Sequence, residues 1–368
     1  MLQIVEWSFI ESFVLEVFCR YGVPEADARI CTDVLLEAER RGIESHGLNR
    51  FKPIYLERLK AGVQKPVTEL EVVRETPTTA VVDGHDGMGQ VVAHRSMTMA
   101  IEKAQKLGLG MVAVRHSTHF GIAGYYASMA AKAGCIGITG TNARPSIAPT
   151  FGVENMLGTN PLTFGMPTDE AFPFMLDCAT SITQRGQIEQ FERLGEETPA
   201  GMVITRDGST MTDSTAILKA LTEGKAALTP LGGVGGEHAG FKGYGYATVV
   251  EILSAALQSG RYLTLLNGYE NGRRISYGLG HFFIAIDTEA FMGRAAFEKT
   301  TGDILRALRA SQKAPGHDHI YTAGEKEYLI WQERKDTGLP VNEAVQRELI
   351  AVRDELELFQ YRFPLETV

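Results

Sequence analysis

The sequence predicts an α/β protein: a sheet covered by helices, with a helical lobe built from the two ends of the chain. Three observations carry this. Short β-rich runs, TAVVDG, MVAVRH, CIGITGTN, FMLDCAT and HFFIAID, recur between residues 79 and 287. Helical patterns at 88–107, 121–133 and 243–259 separate most of them, the alternation expected of strands and helices sharing one sheet. The two chain ends read instead as helix after helix. We therefore expect a discontinuous helical lobe (1–72 and 290–368) around an α/β lobe (73–289). At 368 residues the chain is too long for most single compact cores.

Each element has its own signal. Ser8 and Glu11 form a capping-box pattern ahead of the stripe Phe9, Phe13, Val17, and Gly22-Val23-Pro24 stops that helix. A second helix shows Ile30, Val34, Leu35 and Ala38 on one face. A polar turn at Ser45-His46-Gly47 opens a third. Beyond 290, TTGDILRALRASQ, GEKEYLIWQERKDTG and NEAVQRELIAVRDELE read as helices. Residues 141–167 form a long segment with four prolines that keeps Asn142, Arg144, Asn155 and Asn160 among glycines. Ordered loops of such length are more often functional than idle. The next strand ends in Asp177-Cys178-Ala179-Thr180-Ser181, and polar residues at a strand's carboxyl end are where open α/β sheets hold ligands.

Composition excludes several partners. Net charge is −9, from 36 basic and 45 acidic residues, with no basic stripe, which argues against nucleic acid. No apolar run approaches the ~20 residues of a membrane span. The start MLQIVEWSFIESF lacks the basic region of a secretory signal. Four scattered cysteines suit reduced thiols, so a cytoplasmic location is expected.

Familiar nucleotide signatures fit poorly. GLGMVA (108–113) precedes a strand where the dinucleotide fingerprint should follow one, GYGYAT (243–248) opens a helix after a loop, and no Walker A motif occurs. Leu231 to Gly245 nevertheless holds seven glycines and Lys242 at a helix start, which suits close approach of backbone N–H groups to a phosphate. An ordinary flexible surface loop is the alternative.

Taken in order, ESHGLNRF, HFGIAGYYA, NARPSIAPTFG, LGTNP, LDCATS, GFKGYG and GHFFIAID resemble the type 2 malate/L-lactate dehydrogenase family, whose relatives include ureidoglycolate and sulfolactate dehydrogenases. The resemblance spans residues 44–287. It implies a non-Rossmann, mixed-sheet, sulfolactate dehydrogenase-like fold, a homodimer, and hydride transfer between NAD(P) and a 2-hydroxy or 2-oxo acid. By motif, His119 matches the family's catalytic histidine, and His46 and Arg50 match substrate-contacting positions, with Ser45 beside them. Asp177, Cys178, Ala179, Thr180 and Lys242 match cofactor positions; Asn142, Asn160, Arg185 and Gly243 are added as cofactor candidates. The spacer VGGEHA before the Phe-Lys-Gly element, and Ala323 where the family carries proline, depart from the pattern.

The chemistry asks for such residues. Oxidising a 2-hydroxy acid removes a proton from the hydroxyl, and histidine is the default base near neutrality. A carboxylate behind the ring would fix its tautomer, and Asp177 is the candidate. The substrate carboxylate needs a cation, best an arginine. Arg50 lies four residues after His46, on the same side of a helical turn. Arg144 would be a second arginine, and two suit a dicarboxylate, so malate/oxaloacetate is the favoured pair over lactate or another 2-hydroxy or imino acid. Arg185 could contact substrate or a cofactor phosphate. NAD is favoured over NADP. His116 reads as a hydrogen-bonding residue at a strand end, and His317 and His319 lie in a loop without the fixed spacing a metal site wants, so no metal is expected. Two rivals remain: a metal-dependent hydrolase or lyase using His116, His119 and Asp177, and a binding protein without turnover.

Overall fold

A computed structural model describes residues 2–367. Its centre is a seven-stranded sheet: β1 (Glu71–Glu75), β2 (Thr79–Asp83), β3 (Leu109–Ser117), β4 (Cys135–Thr141), β5 (Leu162–Met166), β6 (Phe174–Cys178) and β7 (Leu279–Asp287). The spatial order is β1-β2-β3-β7-β4-β5-β6. Only β2 and β3 run parallel, joined by the crossover helix Gly89–Leu107; every other neighbour is antiparallel. The sheet is thus mixed, and its last strand sits in its middle. The unbroken run HFFIA suits that place, since a central strand buries both faces. Phe283 and Ala285 face the helices Gly89–Leu107 and Ala123–Lys132, while Gly280 on the opposite face meets the helix Gly240–Ala255.

All five β-rich runs lie in this sheet. The strand β5 was hidden in the segment read as a long loop, and Ile147 and Leu157 of the same segment are buried. They join Ile188, Val203, Ile217 and Leu228 in a separate small core around the strand pair Val203–Thr205 and Ala226–Leu228. Three-residue strands are too short to show a period.

The chain ends meet. Strand Leu2–Val5 pairs antiparallel with Leu339–Asn342, and Ile10, Phe13 and Phe18 share one core with Val345, Leu349 and Phe363. The helix Arg294–Ala310 stands apart from that core, tied through Arg306 to Asp169 and through Arg309 to Glu170 beyond β5. One expected start shifts: the first helix begins at Trp7, so Ser8 lies inside it, and Glu6 at the cap makes no side-chain capping bond. The preceding strand sets that entry, and Trp7 packs edge-on against Trp331, centroids 5.8 Å apart.

Candidate active site

The turn after β3 is braced before it reaches His119. His116 adopts a left-handed backbone (φ 50), and its Nδ1 lies 2.9 Å from Asp83 Oδ2 at the end of β2. Asp83 also accepts from Arg115 Nε and the His85 N–H. Burial pushes the Asp83 carboxyl up, but those bonds outweigh it and hold its pKa below the ordinary value. Thr118 Oγ1 donates to Gly87 O and accepts the Gly89 N–H. A Cβ on Gly89 would lie 2.4 Å from Thr118 O, so the approach needs glycine. His116 is therefore a structural member of the strand end.

His119 follows on this fixed backbone. Its Nδ1 lies 2.8 Å from Tyr55 Oη and 3.3 Å from the Gly121 N–H, and no described residue bonds Nε2. Burial first, then the neighbouring His46 ring and the Arg58 and Arg50 guanidinium groups, hold its pKa well below the usual imidazole range. Tyr55 belongs to a π-helical turn, Phe51–Leu56, a local under-winding frequent at functional sites. The preceding turn carries Ser45, His46 and Arg50. His46 stacks on His119 (centroids 5.9 Å, 19° between planes) and burial pushes its pKa down to about 4. Ser45 Oγ lies 3.0 Å from His46 Nδ1, and Arg50 Nε donates to Ser45 O at 2.6 Å. Beneath them the buried Glu39 carboxylate accepts the Leu48 N–H at 2.6 Å, and a Cβ on Gly47 would lie 2.1 Å from it.

His119 opens into a cavity of roughly 400 Å³ shared with Arg58, Arg144, Arg185, Asn155 and Tyr277. Among the described residues no Asp or Glu lines it, although Glu189 pairs with Arg185 at 3.0 Å. In a protein of net charge −9, that is a local reversal of sign. Of the expected residues, His119, Arg144 and Arg185 meet in this cavity, with His46, Ser45 and Arg50 on the adjoining turn. Arg58 and Tyr55 are additions. On the sequence both sit in an ordinary amphipathic helix, and nothing there separates Arg58 from a solvated arginine.

Several expectations need correction. Asp177 is not behind His119: its carboxylate accepts the Gly124 N–H at 2.7 Å and the Thr163 hydroxyl at 2.8 Å. It caps the helix Ala123–Lys132 from β6, and burial outweighs these bonds to raise its pKa. It borders a different cavity, with Tyr125, Gly324 and Lys326. Asn142 and Asn160 are both engaged in internal ties. Asn142 bonds the Gly280 N–H and Arg261 O, while Asn160 bonds the Ala143 N–H, Ala247 O and Glu251. Thr180 is likewise committed to Thr159 O and Asn160 O. Gly243 is glycine for packing, since a Cβ there would lie 2.2 Å from Leu231 O. Cys178 and Lys242 are exposed and Ala179 half-buried, none lining the His119 cavity. His116, His119 and Asp177, the ligands the metal rival would use, each bond a different partner: Asp83, Tyr55 and the Gly124 N–H.

Comparison with known proteins places the fold and the family. The family model described as malate/L-lactate dehydrogenase matches residues 5–350. Malate dehydrogenase of Pyrococcus horikoshii is 41% identical over 92% of this chain and 91% of its own. Among solved structures, malate dehydrogenase from Entamoeba histolytica has a TM-score of 0.94 at 43% identity, covering 99% of this chain and 100% of that one. Sulfolactate dehydrogenase from Methanocaldococcus jannaschii has a TM-score of 0.86 at 36% identity, covering 96% and 98%. With its mixed sheet, its histidine turn and a match over nearly its whole length, this chain belongs to the malate/L-lactate dehydrogenase family.

Proposed function

We propose that this dehydrogenase interconverts malate and oxaloacetate, with His119 as the proton-transfer group. The observation that carries the reading is a histidine in a cavity with three arginines and no acidic side chain. A dicarboxylate brings two negative charges to those cations, whereas lactate brings one. Relatives named malate dehydrogenase support the same substrate. Sulfolactate, the substrate named for other relatives, is the second reading, because it too carries two negative charges.

The nicotinamide cofactor implied by the family supplies the hydride acceptor in oxidation and the donor in reduction. The residues present suit such a group. Asn155 Oδ1 is a buried acceptor in the cavity with no partner among the described residues, the complement of a carboxamide N–H. The helix Gly240–Ala255 has no side-chain cap, and Lys242 stands exposed on its first turn, an arrangement suited to phosphate. Cys178, Ala179, Arg185 and Lys242 are the accessible members of the cofactor set. We take NAD as the working cofactor, with NADP as the alternative.

The ring hydrogen lies on Nδ1 and is donated to Tyr55 Oη at 2.8 Å, the 3.3 Å approach of the Gly121 N–H to Nδ1 being the weaker contact, which leaves the Nε2 lone pair of His119 to exchange the proton. It accepts it from the C2 hydroxyl during oxidation and returns it to the C2 oxygen during reduction. His46 stacks on one ring face and restricts its tilt. The expected result with purified enzyme is oxidation of NADH by oxaloacetate with kcat/KM at least roughly tenfold above that for pyruvate, one lost charged contact being worth at least that much. Equal or faster reduction of pyruvate rejects the dicarboxylate reading, and NADPH in the same assay decides the cofactor.

We further propose a homodimer. The helix Gly240–Ala255 carries apolar side chains on both faces: it buries Ala247 and Val250 yet exposes Phe241, Tyr246, Val249 and Ile252. Such a helix is expected to be covered. Sedimentation at twice the 40.3 kDa chain mass is the expected outcome, and a monomer at micromolar concentration refutes it. Among the described residues no helix is long and apolar enough to cross a membrane. Four unpaired thiols favour a reducing, cytoplasmic setting, which cell fractionation tests.

A further inference from the structure

The turn that carries His46 and Arg50 is one small unit. Arg50 Nε donates back to the Ser45 carbonyl, Asn49 Nδ2 donates to the Glu44 carbonyl at 2.9 Å, and Ser45 Oγ meets His46 Nδ1. Two side chains from outside the turn fix this unit to the rest of the molecule.

Glu39 is the first. It stands in the last turn of the helix Glu25–Arg40 and is only 4% exposed. A carboxylate there opposes the dipole of its own helix, and burial raises its pKa, so nothing in that helix calls for an acid. Across the turn begins the next helical stretch, Leu48 to Lys60. Its cap position is Gly47, which has no side chain to offer. Glu39 supplies the missing acceptor through its bond from the Leu48 N–H, and it lies at the end of this second helix where negative charge is favoured.

Arg334 is the second. From the helix Glu325–Thr337 its Nη1 donates to the Glu39 carbonyl at 2.5 Å and its Nη2 to Glu44 Oε1 at 2.7 Å. One guanidinium thus joins the end of the first helix to the start of the turn. Its side chain is only 14% exposed, so the pair with Glu44 is less screened than an ordinary surface pair. The Arg334 carbonyl is itself held by Trp7 Nε1 at 2.8 Å. Neither Glu39 nor Arg334 lines the His119 cavity.

We propose that Glu39 and Arg334 are positioning residues for the substrate turn: the Glu39 carboxylate is a helix cap lent by a neighbouring helix, Arg334 is an outer clamp, and together they keep His46 and Arg50 in place beside His119. This rests on the reading of His46 and Arg50 as substrate contacts. Each residue acts by holding the turn in the position that binds, so the loss of either lowers the fraction of enzyme competent to bind. An acceptor oxygen, with or without its charge, is what the cap requires of Glu39.

The test uses the full-length enzyme and three variants. Glu39→Met keeps the length of the side chain and removes the acceptor, Glu39→Gln returns an acceptor of the same reach, and Arg334→Met removes both outer bonds. Steady-state reduction of oxaloacetate and of pyruvate is combined with amide hydrogen exchange over residues 44–50. Glu39→Met and Arg334→Met are each expected to raise KM for both oxo acids roughly tenfold, with kcat within about threefold of wild type. Exchange at 44–50 should quicken roughly tenfold in both, while residues 112–117 of β3 keep their protection. Glu39→Gln should bring KM back to within about threefold of wild type. A merely structural role would lower the unfolding temperature and leave KM in place, so KM within about twofold of wild type in both methionine variants overturns the proposal. Unchanged exchange at 44–50 overturns it too, and a Glu39→Gln enzyme as impaired as Glu39→Met overturns the acceptor role. A wild-type enzyme that reduces neither oxo acid removes the substrate reading, and exchange then decides by itself whether the two residues hold the turn.

Discussion

Replacing His119 by glutamine should lower kcat by about 10²- to 10⁴-fold, the usual contribution of a positioned acid–base group. Glutamine is close in size and still polar, so the loss should fall on the chemical step, with the KM for oxaloacetate changing by less than about tenfold. The pH dependence gives an independent signature. Burial, together with the neighbouring His46 ring and the Arg58 and Arg50 guanidinium groups, keeps the free-enzyme imidazole well below its ordinary pKa, so at neutrality it is neutral. Oxidation needs the neutral ring, and its kcat/KM should stay level as pH falls from 8 through 6. Reduction needs the protonated ring, and its kcat/KM should fall about tenfold for each unit of rising pH over the same range. A substrate that brings negative charge into the cavity favours the imidazolium, so the kcat profile should break at higher pH than the kcat/KM profile. A glutamine variant with wild-type kcat, or the opposite slope in reduction, would remove His119 from proton transfer.

The second large effect is on folding. A Cβ placed on Gly280 would lie 1.6 Å from the Ser254 carbonyl oxygen, a backbone atom that cannot swing aside. Gly280 also donates its N–H to Asn142 Oδ1, and its carbonyl accepts from Thr141 Oγ1. To admit a methyl group, helix Gly240–Ala255 must move off the central strand β7, disturbing the bonds from Asn160 to Ala247 and Glu251. Gly280→Ala should therefore destabilise by about 3 kcal/mol or more, at the upper end for overpacking. Urea unfolding measures this; a midpoint within error of wild type would mean the helix yields without cost.

Much of this architecture is legible in the residues. The β-rich runs signal their strands because β-branched and aromatic residues cluster between turn residues, and HFFIAID announces its central place by apolarity on both faces. His119 is legible because acid–base chemistry narrows the choice to a few residue types. Partners across hundreds of residues are not. Asp177 and His119 are plausible neighbours in one dimension, yet the carboxylate is spent on a helix end 53 residues upstream, at Gly124. Asn142 and Asn160 show the same ambiguity, since an asparagine tying loops together and one touching a ligand occupy similar glycine-rich surroundings. Arg58 is the reverse case: its spacing is that of a surface helix, and only the fold reveals that solvent and counter-ion are both missing.

The pairing of Leu2–Val5 with Leu339–Asn342 has a consequence for biosynthesis. During translation the first strand and the helices after it leave the ribosome early, but their core is completed only by residues near the other end of the chain. The turn carrying His46 and Arg50, and the segment carrying Tyr55, rest on that core through Leu48, Phe51 and Leu56. The central sheet can begin to assemble beforehand, up to the arrival of β7. Substrate-handling residues encoded in the first sixth of the gene thus become ordered among the last, and a nascent chain cut short near its end would carry a nearly complete sheet and an unfinished site.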